Sequence, residues 1–390
     1  MPRKTYFFVL FILSCFFCLS GLTGCMGGGN EQSAVATPSS AVNGDSIKKI
    51  KDLLKSEGST EKFTGTVLIE QDGKVLLREG YGMADQAQKI ANTPETRFRI
   101  ATLSEQFNAL SLLLLQDQGK LTLNDPICTY IPDCPATWKA ITIQQLFVHT
   151  SSIPDYLSLG DYLAMKAKPT TPEQLIGLFK DRPLLEFTQY RTAYNAANQV
   201  LAGYIIEKAS GQSYGEYLQS TIFNPLHLTH TSYVKNDEPL PAYATGYEQP
   251  GIVSDPIDAS ALYAAGGISS TVDDLYTFDQ AIIQHKIGSK AVGDSLLTIH
   301  YTYCSLSQSC GPSYVSLGVG YGWFIGREKG ENGLTRQIYY DNGSYEGFSA
   351  ANIYYPEQKL SIIILSNVKR NPITIGNEEN FIENDLFASA

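Results

Sequence analysis

Positive charge is scarce in these 390 residues: 29 Lys plus Arg stand against 39 Asp plus Glu, a net charge of −10. Neutralising phosphates needs the opposite balance, so no nucleic acid is expected as a partner. Histidine is rarer still. His149, His227, His230, His285 and His300 form no ligand motif, and beyond residue 24 no two cysteines have Cys-x-x-Cys spacing, so neither a metal site nor a cofactor is expected. A long apolar run is also missing: the longest, Tyr6 to Leu19, is too short for a comfortable membrane span. What is abundant is core-forming material. Hydrophobic residues make up 43% and charged ones 17%, with 24 Tyr, 17 Phe and 2 Trp, which excludes an intrinsically disordered chain. The length excludes a disulfide-held miniprotein and allows one large mixed domain or two modest ones.

The short apolar run follows Arg3 and Lys4 and precedes small residues, the pattern of a secretory signal. It ends in Leu22-Thr23-Gly24-Cys25, which resembles the lipobox of bacterial lipoproteins. That resemblance implies a signal peptide over residues 1–24, lipidation of Cys25, and export to the extracytoplasmic face of a membrane that holds the anchor. Cys15 and Cys18 leave with the signal. In an exported chain the remaining pairs, Cys128 with Cys134 and Cys304 with Cys310, read as two local disulfides. Residues 25–44, rich in Gly, Ser, Ala, Asn and Pro, read as a flexible tether.

From residue 45 a helix is expected, with Ile47, Ile50, Leu53 and Leu54 on one stripe and its end near Gly58. Phe63 to Glu70 and Lys74 to Tyr81 flank Asp72-Gly73, a hairpin signal. Phe107 to Leu115 is apolar on all sides, which predicts a helix buried at the centre of the domain. Between about 126 and 263 the punctuation becomes helical, with Thr171-Pro172 opening one helix and Gly211 closing Asn198 to Ser210. Ser270 to Asp273 opens another capped helix, and Tyr321 to Ile325, Phe348 to Tyr355 and Leu360 to Ser366 read as strands. The expectation is an α+β fold in which residues 45–125 and 264–390 share one antiparallel sheet flanked by helices, with an all-helical lobe inserted at 126–263.

Several stretches resemble the serine β-lactamase-related family, which includes class C β-lactamases, D-alanyl-D-alanine carboxypeptidases and esterases. They are Phe98-Arg99-Ile100-Ala101-Thr102, Gly119 to Pro126, Ile141 to Ser151, Gly203 to Gly211, Asn224-Pro225-Leu226, Gly266 to Thr271, Gly347-Phe348 and Leu365-Ser366-Asn367. The resemblance runs in order from about residue 60 to 370. It implies the β-lactamase/transpeptidase-like fold and a cleft built on three motifs: Ser-x-x-Lys for the nucleophile and its lysine, Tyr-x-Asn for a base, and Lys-x-Gly or His-x-Gly for a cation beside the substrate carboxylate. The flanking residues align these with Thr102 to Glu105, Tyr194 to Ala196, and Asp341 to Gly343.

At every motif the chemistry has changed. Thr102 replaces the serine, Glu105 the lysine, Ala196 the asparagine and Asp341 the cation, while Tyr194 and Gly343 persist. A carboxylate about 5 Å from an anionic substrate, at an effective dielectric of 20, repels it by roughly 3 kcal/mol. Thr102, Glu105, Tyr194 and Asp341 are therefore the family-equivalent catalytic positions, with Ala196, Asn342, Gly343 and Ser344 as candidate ligand contacts. The first reading is a pseudoenzyme or binding protein for a small molecule, peptide or cell-wall fragment of neutral or positive charge. The alternatives are hydrolysis using Thr102 with Tyr194 as base, or acid/base chemistry by Glu105 and Asp341. Structural roles are also available. Thr102 to Glu105 has capping-box spacing, His149 reads as a satisfied structural histidine, and Asp341-Asn342-Gly343 reads as a polar strand end turning into Ser344.

Overall fold

The computed structural model describes residues 41–60, 63–186, 194–235, 241–304, 310, 313–330, 333–369 and 386–387. The signal, Cys25 and most of the tether lie outside the described residues. At the expected end of the tether, Gly44 already opens a helix: α1 (Gly44–Ser59) is capped by Asn43, whose side chain accepts from the Asp45 N–H, and it buries Ile50 and Leu54.

The Asp72-Gly73 signal becomes a tight hairpin between β1 (Gly65–Gln71) and β2 (Lys74–Tyr81). Asp72 at φ 49° and Gly73 at φ 83° supply the two left-handed residues such a turn needs. Six further strands complete the sheet: β3 (Tyr301–Cys304), β4 (Tyr314–Val319), β5 (Phe324–Lys329), β6 (Thr335–Tyr345), β7 (Phe348–Tyr355) and β8 (Leu360–Ser366). Their order is β3-β4-β5-β6-β7-β8-β1-β2, antiparallel throughout, so the two N-terminal strands pair with the last one in the chain. The strand expected from Tyr321 starts later, at Phe324, because Gly322 at φ 72° still belongs to the preceding turn.

One sheet face carries α1, packed on Val67, Ile69, Ile353 and Ile362. Against the other lie α2 (Ser104–Asp117), α3 (Ala196–Ser210) and α4 (Val272–Ile283), with the shorter helices of the inserted region. Twelve consecutive residues of α2, Ser104 to Leu115, are buried, which is why its sequence shows no polar face. The N-cap of α4 is Thr271 rather than Ser270, its side chain accepting from the Asp274 N–H. Gly211, at φ 77°, closes α3. Both cysteine pairs are bonded: Cys128–Cys134 with S–S 2.03 Å and Cys304–Cys310 with S–S 2.15 Å.

Candidate functional site

The site is built around the head of α2. A short strand, Phe98–Arg99, leads into a 3-10 turn over Ala101–Leu103, and Ala101 takes φ 48°. A non-glycine residue held there costs about 1–3 kcal/mol, and the result is that Thr102 is presented at the helix head. Gly343 of β6 lies directly against it: a Cβ at that position would stand 2.6 Å from the Thr102 nitrogen and 2.9 Å from its Oγ1. Only glycine fits beneath Thr102.

The capping box does not form. The N-cap of α2 is Leu103, with no side-chain capping bond, because the 3-10 turn already takes the first donors: the Leu103 N–H bonds the Ile100 carbonyl, and that of Ser104 the carbonyls of Ala101 and Thr102. Glu105 is free to turn inward, where its Oε2 accepts from Gln199 Nε2 at 3.0 Å and lies 3.3 Å from His149 Nε2. That histidine is also held from its other side. Asn198 Nδ2 donates to the Leu146 carbonyl at 3.0 Å and Asn198 Oδ1 accepts from Ser151, which fixes the amide. His149 Nδ1 lies 3.5 Å from Nδ2, which turns Nε2 toward Glu105. His149 is a buried histidine with a partner at each ring nitrogen, as its structural reading has it, and its contact with Glu105 brings it to the edge of the site.

Tyr194 stands just ahead of α3. Its hydroxyl donates to the Ala265 carbonyl at 3.0 Å, lies in hydrogen-bonding reach of the Thr102 hydroxyl, and its ring is 5.7 Å from that of His149. Burial holds the phenol well above its ordinary range, and Glu105, Asp155 and Asp341 push it further in the same direction. Ala196 is fully buried and contributes only its backbone N–H, given to Asp155 Oδ1 at 3.1 Å.

Asp341 is a correction to the strand-end reading. β6 continues through it to Tyr345, and it pairs in register with Asn352 of β7. Its side chain is fully buried; Oδ1 accepts from the Asn342 N–H at 2.8 Å, and Oδ2 has no partner. Burial first, and then repulsion from Glu105, raise this carboxyl well above the usual range. Strand alternation puts Asp341 and Gly343 on the face toward α2 and sends the side chains of Asn342 and Ser344 to the opposite face, away from Thr102. The structure brings together Thr102, Glu105, Tyr194, Asp341 and Gly343, with Ala196 behind them. Gln199 went unnoticed in the sequence, although it lies one helical turn beyond Ala196 on the same side of α3.

Chemically, the arrangement sets the Thr102 hydroxyl beside the Tyr194 phenol, with Glu105 and Asp341 close to both. A tyrosine base needs a lowered pKa, which neighbouring cations supply; here the charged neighbours are carboxylates, and they act in the opposite sense. Comparison with known proteins places this cleft in its lineage. A family profile described as Beta-lactamase matches residues 50–378. The chain belongs to the β-lactamase family. Among its relatives is the Bacillus subtilis protein PbpX, whose name places it with the penicillin-binding proteins; the two are 30% identical over 332 residues, 84% of this chain and 75% of that one. A penicillin-binding protein homologue from Pyrococcus abyssi superposes with a TM-score of 0.73 at 25% identity, over 88% of this chain and 77% of its own. The fold is shared as well by a penicillin-binding protein from Bacillus halodurans, with a TM-score of 0.68 at 23% identity, over 85% and 97% of the two chains. The β-lactamase-family architecture sets Thr102, Glu105, Tyr194 and Asp341 around the head of α2.

Proposed function

We propose that this β-lactamase-family chain is a pseudoenzyme: an exported, lipid-anchored protein that binds a neutral or cationic small molecule, peptide or cell-wall fragment in the cleft at the head of α2. One observation carries the reading. Where the family motifs place cations, this chain has Glu105 and Asp341, and both raise the Tyr194 phenol that would otherwise serve as base. The unpartnered Asp341 Oδ2 and the Glu105 carboxylate favour a ligand that brings donors or positive charge. The lipid anchor rests on the leader and the Cys25 box.

A penicillin or fluorophosphonate probe tests the loss of acyl transfer on the purified protein. The expected result is no covalent label on the natural chain, and label on the triple variant Thr102→Ser, Glu105→Lys, Asp341→His. Labelling of the natural chain that disappears in Thr102→Ala would overturn the proposal. That outcome would support the second reading, slow hydrolysis with Thr102 as nucleophile, which is favoured by the strained Ala101 turn and the Thr102–Tyr194 contact.

A further inference from the structure

A second cavity, of about 490 Å³, opens in the helical region between α3, the helix Tyr214–Leu218 and the 3-10 turn Tyr263–Ala265. Neither a sequence motif nor the cleft chemistry accounts for it. Its walls include Tyr214, Tyr233 and Tyr263, with Glu207 and Glu216 set against a single cation, Lys235. Two of the rings rest directly on bare backbone: a Cβ on Gly203 would lie 2.8 Å from Tyr263 Cε1, and one on Gly215 would lie 2.8 Å from Tyr233 Cδ1.

Tyr263 is held at φ 45°, ψ −127°, a strained conformation for a side-chain-bearing residue and one that clusters at ligand sites. Its buried hydroxyl meets no partner in good hydrogen-bond geometry, while the Glu207 carboxylate lies close beside it. Tyr214 commits its hydroxyl to Asn108 Oδ1 at 2.6 Å in the core, so it offers the cavity its ring. Glu216 is engaged by Ser213, whose hydroxyl bonds it at 2.6 Å, and by the field of Lys235. Glu207 has one bond from the Tyr214 N–H at 2.9 Å and supplies the surplus negative charge.

We propose that this cavity binds an organic ammonium ion, with Glu207 neutralising its charge, the tyrosine faces covering its alkyl groups, and the Tyr263 hydroxyl beside it. Aromatic faces attract cations through their quadrupole, and a half-buried carboxylate selects the sign. The same 3-10 turn offers the Ala265 carbonyl to Tyr194, so the cavity and the cleft share one turn of backbone.

Calorimetric titration with choline, and with its neutral isostere 3,3-dimethylbutan-1-ol, tests this on the intact protein. Choline is expected to bind at least about tenfold more tightly than the alcohol, and Glu207→Gln to remove that preference. Tyr233→Ala, at the rim, should weaken choline binding by a similar factor without touching the carboxylate. Glu105→Gln should leave choline binding unchanged, which separates this cavity from the cleft. Equal binding of the two probes, no choline binding, or a loss in Glu105→Gln but not in Glu207→Gln would overturn the proposal.

Discussion

Asp279 and Asp341 both lie buried beneath α2, one from α4 and the other from β6, and burial raises both carboxyls above the usual range. Their surroundings differ. Asp279 Oδ1 accepts from Asn352 Nδ2 at 2.9 Å, while Asp279 Oδ2 and Asn352 Oδ1 both lack a donor. Burial pushes the Asp279 carboxyl up to about 8, with the bond from Asn352 acting in the opposite sense. Asp341 has a backbone donor on one oxygen, nothing on the other, and the charge of Glu105 nearby. The core acid has a side-chain donor from the neighbouring strand; the cleft acid has only the backbone N–H of the next residue. A buried acid beside an open groove is thus a place where a ligand donor gains something the protein does not provide.

The largest expected effect breaks the core half of the comparison. Below about pH 4 native and unfolded chains both hold the Asp279 proton, and between there and about pH 8 only the native chain does, so stability falls as pH rises across that window. Asp279→Asn keeps a donor and an acceptor without needing that proton. Urea unfolding should show no gain near pH 4 and a gain on the order of 5 kcal/mol at pH 8, as the upper bound of a shift of this size. A gain of the same size at both pH values would mean that the buried Asp279 carboxyl is not the cause.

The second breaks the cleft half. Gly343→Ala places a methyl 2.6 Å from the Thr102 nitrogen, a contact the strained Ala101 turn cannot yield to cheaply. A loss of about 2–4 kcal/mol is expected, with the pH dependence assigned to Asp279 unchanged. Denaturant titration at pH 4 and pH 8 reads both quantities. A tolerated alanine would show that Thr102 is not held against β6.

These contrasts were only partly legible in the sequence. The hairpin at Asp72-Gly73, the buried helix α2 and the pair β7–β8 announced themselves, because each combines a strong local signal with apolar residues at the right period. Strands β3, β4 and most of β6 did not: Thr-Arg-Gln-Ile-Tyr-Tyr-Asp-Asn-Gly-Ser-Tyr has no clean apolar alternation and yielded only a polar strand end, and β3 and β4 carry register shifts. The motif positions were found by family resemblance, but the spacing of Thr102 and Glu105 also matches a capping box, and local spacing alone cannot choose between the two. Contacts distant in sequence decided it: Gln199 and His149 hold Glu105 in the interior. The side-chain directions of Asn342 and Ser344 could not be read in advance, because the face of a strand residue is known only once its register is known.

A smaller effect is expected at the incomplete acid. Asp341→Asn removes an unmatched buried acceptor and its repulsion with Glu105, and should stabilise the protein by about 1–2 kcal/mol at neutral pH. The sign again follows from a raised carboxyl: the native chain keeps the proton longer, so the benefit appears as pH rises above the unfolded range near 4. The same variant should weaken any cationic cleft ligand. Equilibrium unfolding beside ligand titration measures both, and a loss of stability at pH 7 would show that Asp341 is satisfied in a way its geometry does not reveal.

The smallest effect sharpens the comparison most. Glu105→Gln keeps an oxygen for Gln199 Nε2 but removes the charge that His149 Nε2 faces, replacing a charge-assisted bond with a weaker one. The direct cost is about 0.5–1 kcal/mol. The informative change is in Asp341. Without the neighbouring carboxylate its pKa falls, so the pH range over which it lowers stability ends earlier, while the range belonging to Asp279 stays where it was. Unfolding free energies measured from pH 4 to pH 9 in the Asp279→Asn background isolate that movement. If the curve does not shift, Asp341 is raised by burial alone, and the two acids differ in their partners but not in their charge environment.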